Sequence, residues 1–134
     1  MSEQKLGKSS EDYLEAIRIL KEKNSYVRSV DIAAQLGVTK PSVSVAVKRL
    51  KNSGYIYVNE SGFISLTSKG ELIAEKIYAR HRILSEFFIA LGVNQETALE
   101  DACKIEHDIS EETFAALCKY LEKQQLTNFD CTSD

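Results

Sequence analysis

Both histidines of this 134-residue chain stand among residues able to hold a metal ion. Cys103, Glu106 and His107 are spaced i, i+3 and i+4, which on a helix puts a thiol, a carboxylate and an imidazole on one face. Asp12 and Glu15 repeat the i, i+3 spacing with two carboxylates, and His81 is the second imidazole. Carboxylate, imidazole and one thiolate together suit a divalent first-row metal of borderline softness. Each residue also has an ordinary reading. Cys103 would be a small core residue, Glu106 and His107 surface positions, and Asp12 an acid favoured in the first turn of a helix. Spacing alone leaves both readings open.

The second candidate chemistry is phosphate binding. The net charge is −3, but residues 1–70 hold 11 Lys/Arg against 7 Asp/Glu, whereas residues 71–134 hold 6 against 13. From Ile32 to Asn59 there is no acid, and Lys40, Lys48, Arg49 and Lys51 fall inside that window. A basic stripe on an acidic protein fits a focused phosphate-binding face; its plainer reading is a solvated helix face.

Composition restricts the class. With 43% hydrophobic and 28% charged residues the chain reads as globular, not disordered. No apolar run reaches the roughly 18 residues of a membrane span. The N-terminus lacks the apolar stretch of a secretory signal. Three cysteines, Cys103, Cys118 and Cys131, form no C-x-x-C pair, which argues against a disulfide framework and for a reducing cytoplasm. One proline and six glycines point to a helix-rich chain.

The elements that must carry these groups follow from capping signals and periodicity. Ser9-Ser10-Glu11-Asp12 starts a helix over about 10–22, with Tyr13, Leu14, Ile17 and Leu20 as its apolar face. Ser29 caps a short helix to Leu36, Gly37 ends it, and Thr39 caps a third helix with Pro41 near its start. Gly54 stops that helix. Tyr55–Val58 and Phe63–Thr67 read as strands joined by Asn59-Glu60-Ser61-Gly62. Helix, helix, Gly turn, helix and hairpin is the order of a winged helix-turn-helix. A long helical pattern over about 69–90 follows through Leu72, Ile73, Ile77, Leu84, Phe87 and Phe88. Helices near 95–107 and 111–124 complete the chain, with a frayed tail after Leu126. The fold class is mainly α: residues 1–70 form the winged helix-turn-helix and 71–134 an all-helical domain.

On a helical wheel of residues 41–53, Val43, Val47 and Leu50 form the core stripe. Opposite lie Pro41, Val45, Lys48 and Asn52, flanked by Ser42, Ser44 and Arg49. A valine exposed among hydroxyls and cations fits a major groove, where it meets a thymine methyl. Thr39, Lys40 and Ser42 sit at the helix N-terminus, which this motif inserts. Lys48, Arg49 and Lys51 would grip phosphate. A winged helix used only for protein contacts is the alternative.

The motifs Ser10–Ile17, Asp31–Ser44, Leu-Thr-Ser-Lys-Gly at 66–70, Arg80-His81-Arg82 and Cys103-Lys-Ile-Glu-His107 occur in order. Together they resemble the diphtheria-toxin-repressor family of metal-dependent transcriptional regulators, over nearly the whole chain. Length places the chain with the short, manganese-transport-regulator-like branch that lacks a C-terminal SH3-like domain. The resemblance implies a non-enzymatic, cytoplasmic repressor of metal-uptake genes that binds a palindromic operator in double-stranded DNA as a homodimer. It implies Mn2+ or Fe2+ as cofactor and Asp12, Glu15, His81, Cys103, Glu106 and His107 as ligands, with metal joining the two domains. Asp12 is the manganese-type residue and Cys103 the iron-type one, so the set is a hybrid. Ser85 and Leu99 replace a carboxylate and an imidazole of the iron-type ancillary site. Phe87, Phe88, Phe114, Leu117 and Leu121 are candidates for a dimer face. The competing expectations are a winged-helix regulator with a non-metal effector and a metallohydrolase built on Glu106-His107. The second lacks H-E-x-x-H, G-x-S-x-G and a phosphate loop.

Overall fold

The computed structural model describes residues 7–124. The expected tail after Leu126, and Cys131 within it, lie outside the described residues. The elements are α1 (Lys8–Lys23), α2 (Ser29–Leu36), α3 (Lys40–Asn52), β1 (Ile56–Val58), β2 (Ile64–Leu66), α4 (Ser68–Ala90), α5 (Gln95–Ile105) and α6 (Glu111–Lys123). They fall into two compact units, Met1–Glu75 and Lys76–Asp134.

In the first unit, Tyr13, Leu14, Ile17 and Leu20 of α1 pack with Val27, Ile32, Val43, Leu50, Ile56 and Ile64 in one core. Gly37 ends α2 in the left-handed conformation at φ 67°, where a side chain would be strained. Thr39 then caps α3, its Oγ1 accepting from the Ser42 N–H at 3.2 Å. The hairpin pairs Ile56 with Leu66, Tyr57 with Ser65 and Val58 with Ile64. Its turn is held by Asn59, whose Oδ1 accepts from the N–H groups of Ser61 and Phe63, both at 2.9 Å. The wing is tied to the helical core near its turn, where the Ile64 N–H donates to the Val27 carbonyl at 2.7 Å.

Two sequence expectations are corrected here. Helix α1 begins at Lys8 after Gly7, not at a Ser9 cap. Ser10 is buried, and its Oγ accepts from Arg49 Nη2 at 3.2 Å, so this hydroxyl serves α3 from inside α1. On α3 the fully buried residues are Val43, Ala46 and Leu50, while Val47 is only partly covered. A small residue is what lets the helix approach its neighbours at that point.

The start of α4 packs against the start of the hairpin. The Tyr55 carbonyl accepts from the Thr67 N–H at 3.1 Å, and a Cβ added to Gly70 would overlap the same carbonyl. Gly70→Ala is therefore expected to lower stability by about 1–3 kcal/mol through overpacking, despite the better helix propensity of alanine. Urea denaturation measures it, and an unchanged midpoint would contradict the packing.

The second unit has a small core. Ile83, Cys118 and Leu121 are buried, with Phe87, Phe114 and Leu117 packed against them. Leu121, expected as a candidate for the dimer face, is therefore fully interior. Among the described residues, this unit leaves the large apolar side chains of Ile89, Leu91, Leu99, Ile105 and Tyr120 exposed. Cys118 is buried in this core, whereas Cys103 is exposed and not in a disulfide.

Candidate functional site

The second unit gathers three of the six expected ligands. His81 projects from α4, Glu106 caps the C-terminus of α5 with helical backbone angles, and His107 follows it. Glu106 is 0% exposed and His107 5%, so neither is the surface residue of the ordinary reading. Glu106 Oε1 lies 2.8 Å from His81 Nδ1, within hydrogen-bond distance. Its Oε2 lies 3.4 Å from His107 Nε2, close enough for electrostatic attraction, yet it makes no hydrogen bond.

That oxygen decides what the cluster can do. A buried carboxylate oxygen without a hydrogen-bond partner costs on the order of 1–3 kcal/mol, or more when charged. A carboxylate between two imidazoles is also a donor set of the kind that divalent first-row metals take. The residues present thus fit a metal ion.

Cys103 sits one turn earlier on α5 and is exposed, and no cluster of candidate ligands among the described residues includes it. The core-cysteine reading is wrong for this position, and the helical spacing does not by itself bring the thiol to Glu106. In the first unit, Asp12 and Glu15 lie one turn apart on α1; Asp12 is half-buried and Glu15 buried. Arg80, which sequence reasoning passed over, is 5% exposed and donates from Nη1 to the Glu106 main-chain carbonyl at 3.2 Å. Its signal was available: it stands at apolar spacing between Ile77 and Leu84 on α4, where a cation has no reason to be unless something needs it.

Helix α3 presents the second candidate surface. Thr39, Lys40, Pro41, Ser42, Ser44, Lys48 and Arg49 are all exposed, and Val45 is 64% exposed. Arg49 also reaches back to Ser10, so one of its donors is already engaged. Beside the wing's turn, Tyr26 stacks on Phe63 with ring centroids 4.3 Å apart, and the Arg28 guanidinium lies 4.7 Å from the Phe63 centroid. Among the described residues no helix is long and apolar enough to cross a membrane.

Comparison with known proteins assigns both units. Residues 5–62 match the model for the N-terminal DNA-binding domain of iron-dependent repressors, and residues 67–127 match the metal-binding and dimerisation domain of the same proteins. The chain belongs to the iron-dependent repressor family. The transcriptional regulator MntR of Escherichia coli is 39% identical over 113 residues, covering 84% of this chain and 73% of the relative. An uncharacterized HTH-type transcriptional regulator of Methanocaldococcus jannaschii is 35% identical over 120 residues, covering 88% of this chain and 96% of the relative. Among solved structures, the manganese regulator SloR superposes with a TM-score of 0.76 at 30% identity, covering 84% of this chain. A manganese-dependent transcriptional repressor in complex with manganese gives 0.78 at 25% identity and 90% coverage. This chain spans 53% and 55% of those two structures, about half their length. Iron-dependent repressors are transcriptional regulators, not enzymes, and the metallohydrolase expectation is set aside.

Proposed function

We propose that this chain is a metal-activated repressor, acting as a cytoplasmic homodimer on a palindromic operator in double-stranded DNA. In this reading residues 1–70 bind DNA, and residues 71–134 bind metal and dimerise. The observation that carries it is the buried Glu106 carboxylate, with one oxygen making no hydrogen bond, between His81 and His107. Asp12 and Glu15 on α1 complete the donor set from the DNA-binding domain, with Cys103 as a further candidate. The relatives named for manganese favour Mn2+, and the iron-repressor family keeps Fe2+ as the other cofactor.

Ligands drawn from both domains tie the DNA-binding domain to the dimerisation domain when metal is bound. In a homodimer the angle between domains sets the separation of the two α3 helices, which must match half-sites one helical turn or its multiples apart. Without the cation nothing ties the two domains, and that angle is not selected. Activation is then a population shift with a coupling of about 1–3 kcal/mol. The test is anaerobic binding to a palindromic operator, titrated with Mn2+, Fe2+, Zn2+ and a chelator. DNA affinity that chelation leaves unchanged would favour a winged-helix regulator with a non-metal effector.

On DNA, α3 enters the major groove from Thr39, Lys40, Pro41 and Ser42, with Ser44 and Val45 facing bases and Lys48 and Arg49 gripping phosphate. Lys48→Ala should weaken binding to every sequence and reduce the salt slope by about one unit. The slope of log affinity against log salt checks it; a parent-like slope removes Lys48 from the phosphate contacts.

Cys103 has its own test. Thiolate favours iron(II) over manganese, so Cys103→Glu should shift activation towards Mn2+. Paired anaerobic titrations of parent and variant, read by anisotropy of labelled operator, give the ratio of Mn2+ to Fe2+ midpoints. An unchanged ratio takes Cys103 out of the ligand set, as its exposed position on α5 would then explain.

A further inference from the structure

Arg80 is a permanent cation buried on α4, one residue before His81. Its Nη1 donates to two main-chain carbonyls, Glu106 at 3.2 Å and Ile109 at 2.5 Å. Glu106 is the C-cap of α5, and Ile109 immediately precedes Ser110, the N-cap of α6. One guanidinium therefore pins both ends of the short connection that carries Glu106 and His107. Carbonyls at a helix C-terminus have no intrahelical donor and carry partial negative charge, so a cation is the partner they favour.

The arrangement is costly for a loop closure. Arg80 Nε is buried with no hydrogen bond, and Nη2 reaches the exposed Glu111 carboxylate only at 3.8 Å. Glu111 is chiefly engaged by Lys76, whose hydrogen bond holds its carboxyl below the usual carboxylate range. The Phe114 ring covers the guanidinium, its centroid 5.4 Å from the Arg80 carbon. A glycine cap would end α5 without burying a charge. What glycine would not do is fix the peptide planes on either side of His107 from the helix that carries His81.

We propose that Arg80 is a positioning residue for metal binding, holding the Glu106–Ile109 connection so that the Glu106 carboxylate and the His107 imidazole face the cation together with His81. This rests on the metal-binding reading above. Arg80 touches no metal itself. It acts through the two main-chain carbonyls to which its Nη1 donates.

The test uses the full chain, with Mn2+ affinity by calorimetry and the ligand-field spectrum of Co2+ at saturation. Arg80→Met is expected to weaken Mn2+ binding about 10- to 100-fold, the usual range for an outer partner of a metal ligand, and to shift the Co2+ bands. Arg80→Lys, which keeps the charge and reaches one carbonyl, should recover part of both. A merely structural arginine would lower the urea midpoint and leave the bands of bound Co2+ where they are, and that result overturns the proposal. So does parent-like Mn2+ affinity in both variants. If Arg80→Met does not fold, the same two readouts on Arg80→Lys decide. If His107→Ala loses Mn2+ while the Arg80 variants keep it, this proposal alone fails. If the folded parent binds neither Mn2+ nor Co2+, the metal-binding reading fails with it.

Discussion

Glu106→Gln is expected to abolish metal-stimulated operator binding while leaving the metal-free protein folded. The substitution keeps the size of the side chain and one oxygen, so an amide can still bond His81 at the 2.8 Å spacing. Exchanging one hydrogen-bonded group for another in this way should change stability by no more than about 1 kcal/mol. The charge, however, is gone. A neutral amide replaces the carboxylate that lies between His81 and His107, and the loss should exceed the roughly 100-fold upper range of outer-partner substitutions. His107→Ala should act in the same direction, with an added packing defect because the imidazole is buried. Three measurements separate these effects: the urea midpoint without metal, calorimetric Mn2+ affinity, and operator anisotropy with and without Mn2+. A Gln variant that keeps the parental Mn2+ midpoint would remove Glu106 from the site and with it the proposed function.

The helical framework was legible because its signals are local. Thr39 before Pro41 and Gly37 at a left-handed C-cap each act within one turn, and the structure uses both. Helix starts were less legible where a polar side chain found a distant partner. Ser10 looked like part of a cap and instead accepts from Arg49, thirty-nine residues away in sequence. The same limit applies at the candidate metal site. Helical spacing places Cys103, Glu106 and His107 together on an ideal helix, but α5 ends at Ile105. The last two residues turn inward and the thiol does not. Burial of Glu106 could not be read from its type, since glutamate is almost never fully buried unless paired. Arg80 illustrates the converse: its place on the apolar face of α4 was visible, but its purpose appears only once the carbonyls it holds are in view.

The two faces of α3 should respond to alanine in opposite ways. Leu50 is 1% exposed and packs α3 onto the core of the first unit, with Leu14, Ile17 and Ile56 among that core. Leu50→Ala is expected to cost about 2–5 kcal/mol, transfer and cavity terms together. That is a large share of the roughly 5–15 kcal/mol that holds a small domain folded. DNA binding should fall in proportion to the folded fraction, equally for operator and random sequence. Val45 is 64% exposed and contributes almost nothing to packing, so Val45→Ala should leave the urea midpoint within about 0.5 kcal/mol of the parent. Its effect belongs to recognition. If Val45 meets a thymine methyl, an operator with uracil in place of that thymine should bind the parent more weakly, by about 0.8 kcal/mol for one buried methyl. The alanine variant should no longer distinguish the two operators. Parent and variant against thymine and uracil make a complete double-mutant cycle, and its coupling energy isolates the contact. A coupling of zero at every thymine of the operator would mean that Val45 does not face a base, and the orientation of α3 in the groove would have to be reassigned.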